Sequence, residues 1–310
     1  MDPSTATPVA FTFPGQGAQY VGMGKANAAR FPAARAVFDE ADSVLGFRLS
    51  TLCFEGPQAE LDRTETSQPA IFTASVASLA AWRAHAGDAV PAASVAAGLS
   101  LGEYTALYYA GALSFADGLR LVRERGLAMQ AACDAIKSGM TSIIGLARDQ
   151  LEKIRDEASA AGVLCLANIN SPEQIALSGS MPALERAGEL ARAAGAKRVI
   201  PLAVAGAFHS SLMQPARERL ERALASVRVA APRIPVVSNV SAQPTTDPAA
   251  IKDALARQLT GAVEWVGCVE RMRAMGVQAF YEVGPGKVLT GLLKRIDRAA
   301  EGKSIDEVGA

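Results

Sequence analysis

Short apolar runs alternate with stretches of helical spacing along the first third of the chain. Residues 9–13 form an apolar run typical of a buried strand, and apolar residues recur at helical spacing over 32–45. Further along, helices are predicted over 70–86 and 103–110, with a short strand over 93–100 between them. This alternation is typical of an α/β fold.

The pattern changes after residue 140. Six short elements follow in the order β-α-β-β-α-β, which is the order of a ferredoxin-like unit. They lie over residues 141–146, 149–161, 163–169, 174–178, 182–194 and 197–204. We therefore expect a small subdomain over 133–204, inserted into a larger one made of residues 1–132 and 205–310.

The remaining chain returns to mixed strands and helices. Strands are predicted over 236–240 and 280–283, and helices over 212–227, 251–259, 265–275 and 289–298. Residues 54–66 are polar and are predicted to form a loop, and the polar tail after Ala300 has no predicted element.

Composition and charge narrow the class of protein. The chain has 310 residues, and Lys plus Arg equals Asp plus Glu at 31 each, which argues against a nucleic-acid partner. The four cysteines are far apart, so we expect free buried thiols rather than a zinc site or disulfides; they are Cys53, Cys133, Cys165 and Cys268. No secretory signal or membrane span is visible, so we expect a cytoplasmic monomer without a membrane partner.

Residues 95–104 contain the first chemical signal. A short strand enters Gly98-Leu99-Ser100-Leu101-Gly102, and a predicted helix leaves it. This Gly-x-Ser-x-Gly pattern is the sequence form of a nucleophile elbow, in which glycines permit a sharp turn that exposes the serine. An ordinary strand-to-helix turn would have the same composition, so both interpretations stay open on this stretch alone.

Arg125 is an anomaly in the helix predicted over 115–132. At 100° per residue its neighbours on the same face are all apolar, whereas Arg120 and Arg123 point to the opposite side. An arginine on a core-facing stripe needs an anion, because an unpaired buried charge is costly. That anion is either an internal Asp or Glu, or the carboxylate of a ligand bound by the guanidinium.

His209 is the histidine best placed to serve Ser100 as a base. Ser211 and Gln214 have the spacing of a capping box, which puts His209 just before a helix N-terminus. The positive end of the helix dipole should keep its imidazole neutral. The only other histidine, His85, ends a polar helical segment and is expected on the surface.

Five motifs in register give the chain a resemblance to the malonyl-CoA:acyl-carrier-protein transacylases of fatty-acid and polyketide synthesis. The motifs are Phe13-Pro14-Gly15-Gln16-Gly17, Gly98-Leu99-Ser100-Leu101-Gly102-Glu103, Arg125 with Met129-Gln130, Gly206-Ala207-Phe208-His209-Ser210, and Glu282-Val283-Gly284-Pro285-Gly286. The resemblance implies an α/β-hydrolase-like core with a ferredoxin-like insert, which agrees with the pattern above.

The same resemblance implies roles for individual residues. Ser100 matches the nucleophile, His209 its base, and Arg125 the arginine that holds the free carboxylate of malonyl. The backbone N–H groups of Gln16 and Leu101 match the oxyanion hole. The main-chain carbonyl of Gln258 matches the group that orients the histidine.

Two further positions bear on specificity within the resemblance. Phe208 resembles the malonyl-type signature. Leu99 departs from the pattern, because many family members carry histidine there.

The resemblance implies malonyl transfer from coenzyme A to an acyl carrier protein, without a metal or cofactor. The alternatives are an acyltransferase of a polyketide pathway, a serine thioesterase or hydrolase with the same dyad, and a non-catalytic binding module. An acidic carrier protein would need a basic patch near the cleft. The residues proposed for it are Lys197, Arg198, Lys287, Lys294 and Arg295.

Overall fold

The strands of the protein form two separate sheets. The structure is a computed structural model, and it describes residues 8–309. The strands are β1 (Val9–Phe13), β2 (Val95–Gly98), β3 (Ser138–Ile144), β4 (Leu164–Ser171), β5 (Gln174–Ser180), β6 (Arg198–Pro201), β7 (Val236–Val237), β8 (Pro244–Thr245), β9 (Ala279–Val283) and β10 (Glu301–Ile305). A six-stranded sheet has the order β10-β9-β1-β2-β7-β8, and a four-stranded sheet has the order β4-β5-β3-β6.

The larger sheet is parallel except at its β7–β8 edge. All five residues of β1 are buried, as expected for a central strand covered on both faces. The smaller sheet is antiparallel throughout. The fold is therefore a mixed α/β fold with a parallel-rich sheet and a separate antiparallel sheet.

The helices cover the faces of the two sheets. They are α1 (Lys25–Arg30), α2 (Pro32–Leu45), α3 (Leu49–Glu55), α4 (Gln58–Asp62), α5 (Thr64–Ala86), α6 (Gly102–Tyr109), α7 (Phe115–Ala135), α8 (Arg148–Ala158), α9 (Met181–Ala193), α10 (Gln214–Ser226), α11 (Pro248–Gln258), α12 (Trp265–Ala274) and α13 (Val288–Ile296). Among residues 8–309, no helix is both long and apolar enough to cross a membrane.

The loop predicted over 54–66 is wrong. This stretch contains the end of α3, all of α4 and the start of α5, which begins at Thr64 and continues through Pro69. The first turns of α5 are polar in sequence but buried in the fold, with Ser67 fully buried and Gln68 only 1% exposed. Polar composition therefore signalled a loop where the structure has a buried helix.

The polar tail after Ala300 also forms an element. Residues Glu301–Ile305 make β10, which pairs in parallel with β9 at the edge of the larger sheet. An edge strand exposes one side to solvent, so its side chains need not be apolar. The strand predicted over 236–240 is shorter than expected, because Ser238 and Asn239 leave the sheet after Val237.

The capping box predicted at Ser211 is not formed. Ser210 instead accepts a hydrogen bond from the backbone N–H of Leu212, and residues 211–213 make a 3₁₀ turn before α10. His209 therefore precedes a 3₁₀ turn rather than the helix itself.

Glycines allow three backbone segments to meet behind the turn at Ser100. A Cβ atom on Gly102 would lie 2.0 Å from the carbonyl oxygen of Phe13, and one on Gly98 would lie 1.9 Å from the carbonyl carbon of Gly102. Only glycine fits at such distances. This close approach places the serine at the carboxyl ends of β1 and β2.

Candidate active site

Ser100 lies at the tip of a strained turn between β2 and α6. Its φ is +52°, a left-handed conformation that non-glycine residues rarely adopt. Asn239 stabilises the turn from outside, because its Oδ1 accepts the Ser100 N–H at 2.6 Å and its Nδ2 donates to the Gly98 carbonyl at 2.8 Å. The turn therefore has the local geometry predicted for a nucleophile elbow.

His209 also has a left-handed backbone, with φ at +60°. Its Nε2 lies 2.9 Å from Ser100 Oγ, and its Nδ1 lies 2.7 Å from the main-chain carbonyl oxygen of Gln258. A carbonyl oxygen only accepts, so Nδ1 carries the proton and Nε2 of the neutral ring accepts from the Ser100 hydroxyl. The three residues thus stand in the order nucleophile, base and orienting group.

Burial and, after it, the positive charge of Arg125 lower the pKa of His209 from its ordinary value of 6.5 to about 4. Its hydrogen bond to the Gln258 carbonyl acts in the opposite direction. This pKa agrees with the predicted neutral imidazole, and burial and a neighbouring cation account for it without the helix dipole. His85 is exposed, as expected.

Arg125 is fully buried on α7. Its Nη1 donates to Gln68 Oε1 at 2.6 Å, and its Nη2 donates to Ser100 Oγ and to Gln258 Oε1, both at 2.9 Å. Arg125 forms no ion pair with any residue of the described chain, so the internal salt bridge considered as one explanation is absent. Burial lowers the pKa of the guanidinium.

The two backbone N–H groups expected to stabilise an oxyanion belong to Gln16 and Leu101. Neither N–H donates a hydrogen bond to another group within residues 8–309. Gln16 follows β1 and lines the same cleft as Ser100, while Leu101 is buried directly after the serine. Both donors therefore have no acceptor within residues 8–309.

The cleft between the two sheets has a volume of about 440 Å³. Ser100, His209 and Phe208 line it together with three polar residues of the antiparallel sheet, Asn168, Asn170 and Gln174. Leu99 is half-buried and lines the cleft together with Val288 and Leu292. The leucine therefore adds to an apolar wall at this position.

Sequence reasoning missed three polar residues of the site. Gln68 contacts Arg125, Asn239 stabilises the Ser100 turn, and Glu103 accepts hydrogen bonds from both Asn239 and Gln258. Glu103 ends the Gly98–Glu103 motif, for which the sequence predicts no role at this position. Burial raises its pKa to about 7. The one sequence signal for these residues is that they are polar within segments that are otherwise apolar. The hydrophobic pattern alone does not distinguish such a segment from a loop.

The cysteines and the possible metal ligands are the remaining candidates for chemistry. All four cysteines are unpaired, three of them buried and Cys165 half-buried. Residues 8–309 contain no group of three or more His, Cys, Asp or Glu side chains arranged to hold a metal ion.

Comparisons with known proteins show which family the chain belongs to. Residues 10–310 match the acyl transferase domain. The malonyl CoA-acyl carrier protein transacylase of Salmonella typhimurium is 46% identical over 304 residues, which cover 98% of this chain and 97% of the relative. The fold and the site therefore define an acyltransferase.

Solved structures agree with that class. An acyl carrier protein S-malonyltransferase from Vibrio cholerae superposes with a TM-score of 0.93 at 44% identity, covering 97% of both chains. A malonyl-transacylase in complex with its type II polyketide acyl-carrier protein superposes with a TM-score of 0.92 at 40% identity, covering 97% of this chain and 96% of that one. The chain belongs to the malonyl CoA-acyl carrier protein transacylase family.

The His209 environment predicts an unusual titration. In a His85→Gln variant, NMR of the single remaining imidazole should show the neutral form down to a midpoint near pH 4, because burial and Arg125 disfavour the charged form. Between about pH 6.5 and 4 the imidazole of the unfolded chain binds a proton that the folded one does not, so the contribution of His209 to the free energy of unfolding should fall as pH decreases through that range. The raised pKa of Glu103 contributes in the opposite direction, so the NMR midpoint of His209 is the measurement that decides. A midpoint near 6.5 would contradict this prediction.

Proposed function

We propose that the protein transfers malonyl from malonyl-CoA to the phosphopantetheine thiol of an acyl carrier protein, through a malonyl ester on Ser100. The observation that carries the proposal is the Ser100–His209 pair beside a buried arginine that has no carboxylate partner in the described chain. A serine and base perform acyl transfer, and the arginine selects an acyl group that brings its own carboxylate.

In the first step, His209 Nε2 takes the proton of Ser100 as its Oγ attacks the thioester carbon. The backbone N–H groups of Gln16 and Leu101 stabilise the oxyanion, an effect on the order of 3 kcal/mol per donor. The carbon–sulfur bond then breaks, and the leaving coenzyme A sulfur takes the proton held by His209, so coenzyme A departs as the thiol and the imidazole is neutral again. The product is the malonyl ester of Ser100.

In the second step, His209 takes the proton of the carrier protein's thiol, and the sulfur attacks the Ser100 ester. The serine oxygen leaves and recovers its proton from the imidazolium. The two half-reactions use the same groups in turn, so the kinetics are ping-pong. Neither step needs a metal or an organic cofactor.

Arg125 contributes to both selectivity and basicity in this mechanism. Its guanidinium binds the malonyl carboxylate, whereas an acyl group without a carboxylate leaves it without an anion. Its charge is also one of the causes that lower the pKa of His209. A bound carboxylate offsets that charge, so malonyl strengthens the base that acts on it. Phe208 lines the cleft beside His209 and limits the room for a substituent on the acyl group.

The carrier protein is proposed to dock on a basic groove next to the cleft. Four cations line this groove of about 510 Å³; they are Arg198, Lys294, Arg295 and Arg298. None of the four forms an ion pair within residues 8–309. Gln174 lines both the groove and the active-site cleft, so the groove adjoins the cleft that Ser100 lines.

Lys197 and Lys287, which the sequence also placed in the basic patch, do not line this groove. Lys197 pairs with Glu173 at 3.0 Å, which reduces its availability to a partner. Lys287 is exposed at the start of α13, outside the groove.

We also propose names for the two structural units and a setting for the reaction. Of the predicted subdomain 1–132 and 205–310, the described residues 8–132 and 205–309 form an α/β-hydrolase-like unit, and residues 133–204 form a ferredoxin-like one; residues 1–7 and 310 lie outside the described residues. The strand order β4-β5-β3-β6, antiparallel throughout, supports the second description. The free thiols support a cytoplasmic location, and the greater identity to the Salmonella enzyme than to the polyketide one supports fatty-acid synthesis.

Mass spectrometry tests the function directly. Mixing the protein with malonyl-CoA should add one malonyl group to Ser100, and adding holo acyl carrier protein should remove it onto the carrier. Ser100→Ala should take up no malonyl. An adduct that persists in this variant contradicts the mechanism, and release of free malonate in place of transfer would identify a hydrolase instead.

Arg125→Ala tests the selectivity argument. Malonyl transfer should fall about 100-fold because the carboxylate loses its partner, while acetyl transfer should stay equal or rise. Arg120→Ala, on the exposed side of the same helix, is the matched control and should change neither rate. An unchanged preference for malonyl over acetyl in Arg125→Ala would remove the proposed carboxylate-binding role.

Charge reversal tests the docking groove. Lys294→Glu should raise the KM for acyl carrier protein by about threefold to tenfold at low salt, with the acylation rate by malonyl-CoA unchanged. The difference should shrink in high salt, because ions screen exposed charges. Lys153→Glu, which lies outside the groove and the cleft, is the control. Equal effects of both variants would place the docking surface elsewhere.

A further inference from the structure

Glu103 is a buried carboxylate that the mechanism above does not use. It is the second residue of α6, three positions after the nucleophile, and only 3% exposed. One of its oxygens, Oε2, accepts from Gln258 Nε2 at 2.7 Å and from the Asn239 backbone N–H at 3.1 Å. Glu103 therefore contacts two residues that contact the catalytic groups, but not the groups themselves.

The surroundings of the Gln258 side chain fix the direction of its amide. Its Nε2 faces acceptors, namely Glu103 Oε2 and the Ser100 carbonyl oxygen at 3.0 Å. Its Oε1 faces a donor, Arg125 Nη2, at 2.9 Å. A reversed amide would put oxygen against a carboxylate and a carbonyl, and NH₂ against a guanidinium. Glu103 is the strongest acceptor in this set, because it can carry a charge.

The same amide separates Glu103 from Arg125. The negative charge of Glu103 favours the charged form of the guanidinium without touching it. A direct ion pair would occupy the fork that is proposed to bind the substrate carboxylate. Placing a neutral amide between them keeps the countercharge near and the guanidinium available.

We propose that Glu103 is a positioning residue for acyl transfer, which acts by holding the Gln258 amide in the orientation that aligns Arg125 and Ser100. The inference rests on the proposed function only for the identity of the substrate. The proposed alignment concerns Ser100 and His209, whichever acyl group they transfer. The Gln258 main chain orients His209, so a displaced Gln258 disturbs both groups.

Two substitutions remove the Glu103 carboxylate to different extents. Glu103→Met keeps the length of the side chain without an acceptor, and should slow both malonylation of Ser100 and its labelling by a fluorophosphonate at least about tenfold. Glu103→Gln keeps one acceptor oxygen without the charge, and should lose less. If Glu103→Met does not fold, Glu103→Gln carries the same test, because its volume is unchanged.

A double-mutant cycle separates positioning from general structure. If Glu103 acts through the Gln258 side chain, adding Glu103→Met or Glu103→Gln to Gln258→Ala should slow labelling no further than Gln258→Ala alone. Glu282→Gln is the matched control, since Glu282 is also buried and accepts backbone N–H groups at the start of α13. It should leave the labelling rate within about twofold of wild type.

Several outcomes would overturn the inference. Wild-type labelling rates in Glu103→Met, additive losses in the double variant, or an equal loss in Glu282→Gln would each show that Glu103 does not act through Gln258. A wild-type protein that reacts with the fluorophosphonate but takes no malonyl group would remove the proposed function alone. The labelling cycle would still decide the role of Glu103.

Discussion

The buried charge of Arg125 is the constraint around which the cleft is arranged. A fully buried guanidinium without a carboxylate against it is costly, so the surrounding chain must supply its hydrogen bonds. Gln68 from α5, the Ser100 hydroxyl and Gln258 from α11 do so for Nη1 and Nη2 with neutral oxygens, whereas Nε has no partner within residues 8–309. Three elements far apart in sequence are thus positioned by one cation, and none of them neutralises it.

The protonation states of the site follow from burial first and from the same charge second. Arg125 and burial both oppose protonation of His209, so the imidazole is available as an acceptor at neutral pH. Burial acts on Glu103 in the opposite sense, raising its pKa toward neutrality, while Arg125 favours its charged form. A site that keeps a base neutral and a cation unpaired suits a substrate that itself carries the anion.

The parts of the site predicted from sequence are those with local signals. The place of Arg125 followed from helical periodicity, and the turn at Ser100 from glycine spacing, since both depend on a few neighbouring residues. The polar start of α5 and the departure of Asn239 from the sheet have no such signal, because each is explained by partners more than fifty residues away. The helix dipole offered for the neutrality of His209 is a local signal, whereas burial and a cation distant in sequence account for that neutrality in the fold.

Strain in the site shows why long-range contacts are needed there. Ser100 and His209 both adopt left-handed backbones, at a cost on the order of 1–3 kcal/mol each. Asn239 holds the first and the Gln258 carbonyl holds the second, across 139 and 49 residues of sequence. Neither conformation would persist in an isolated segment. The nucleophile and its base therefore come together only once the segments on both sides of the antiparallel sheet have packed, so the active geometry is a property of the complete fold.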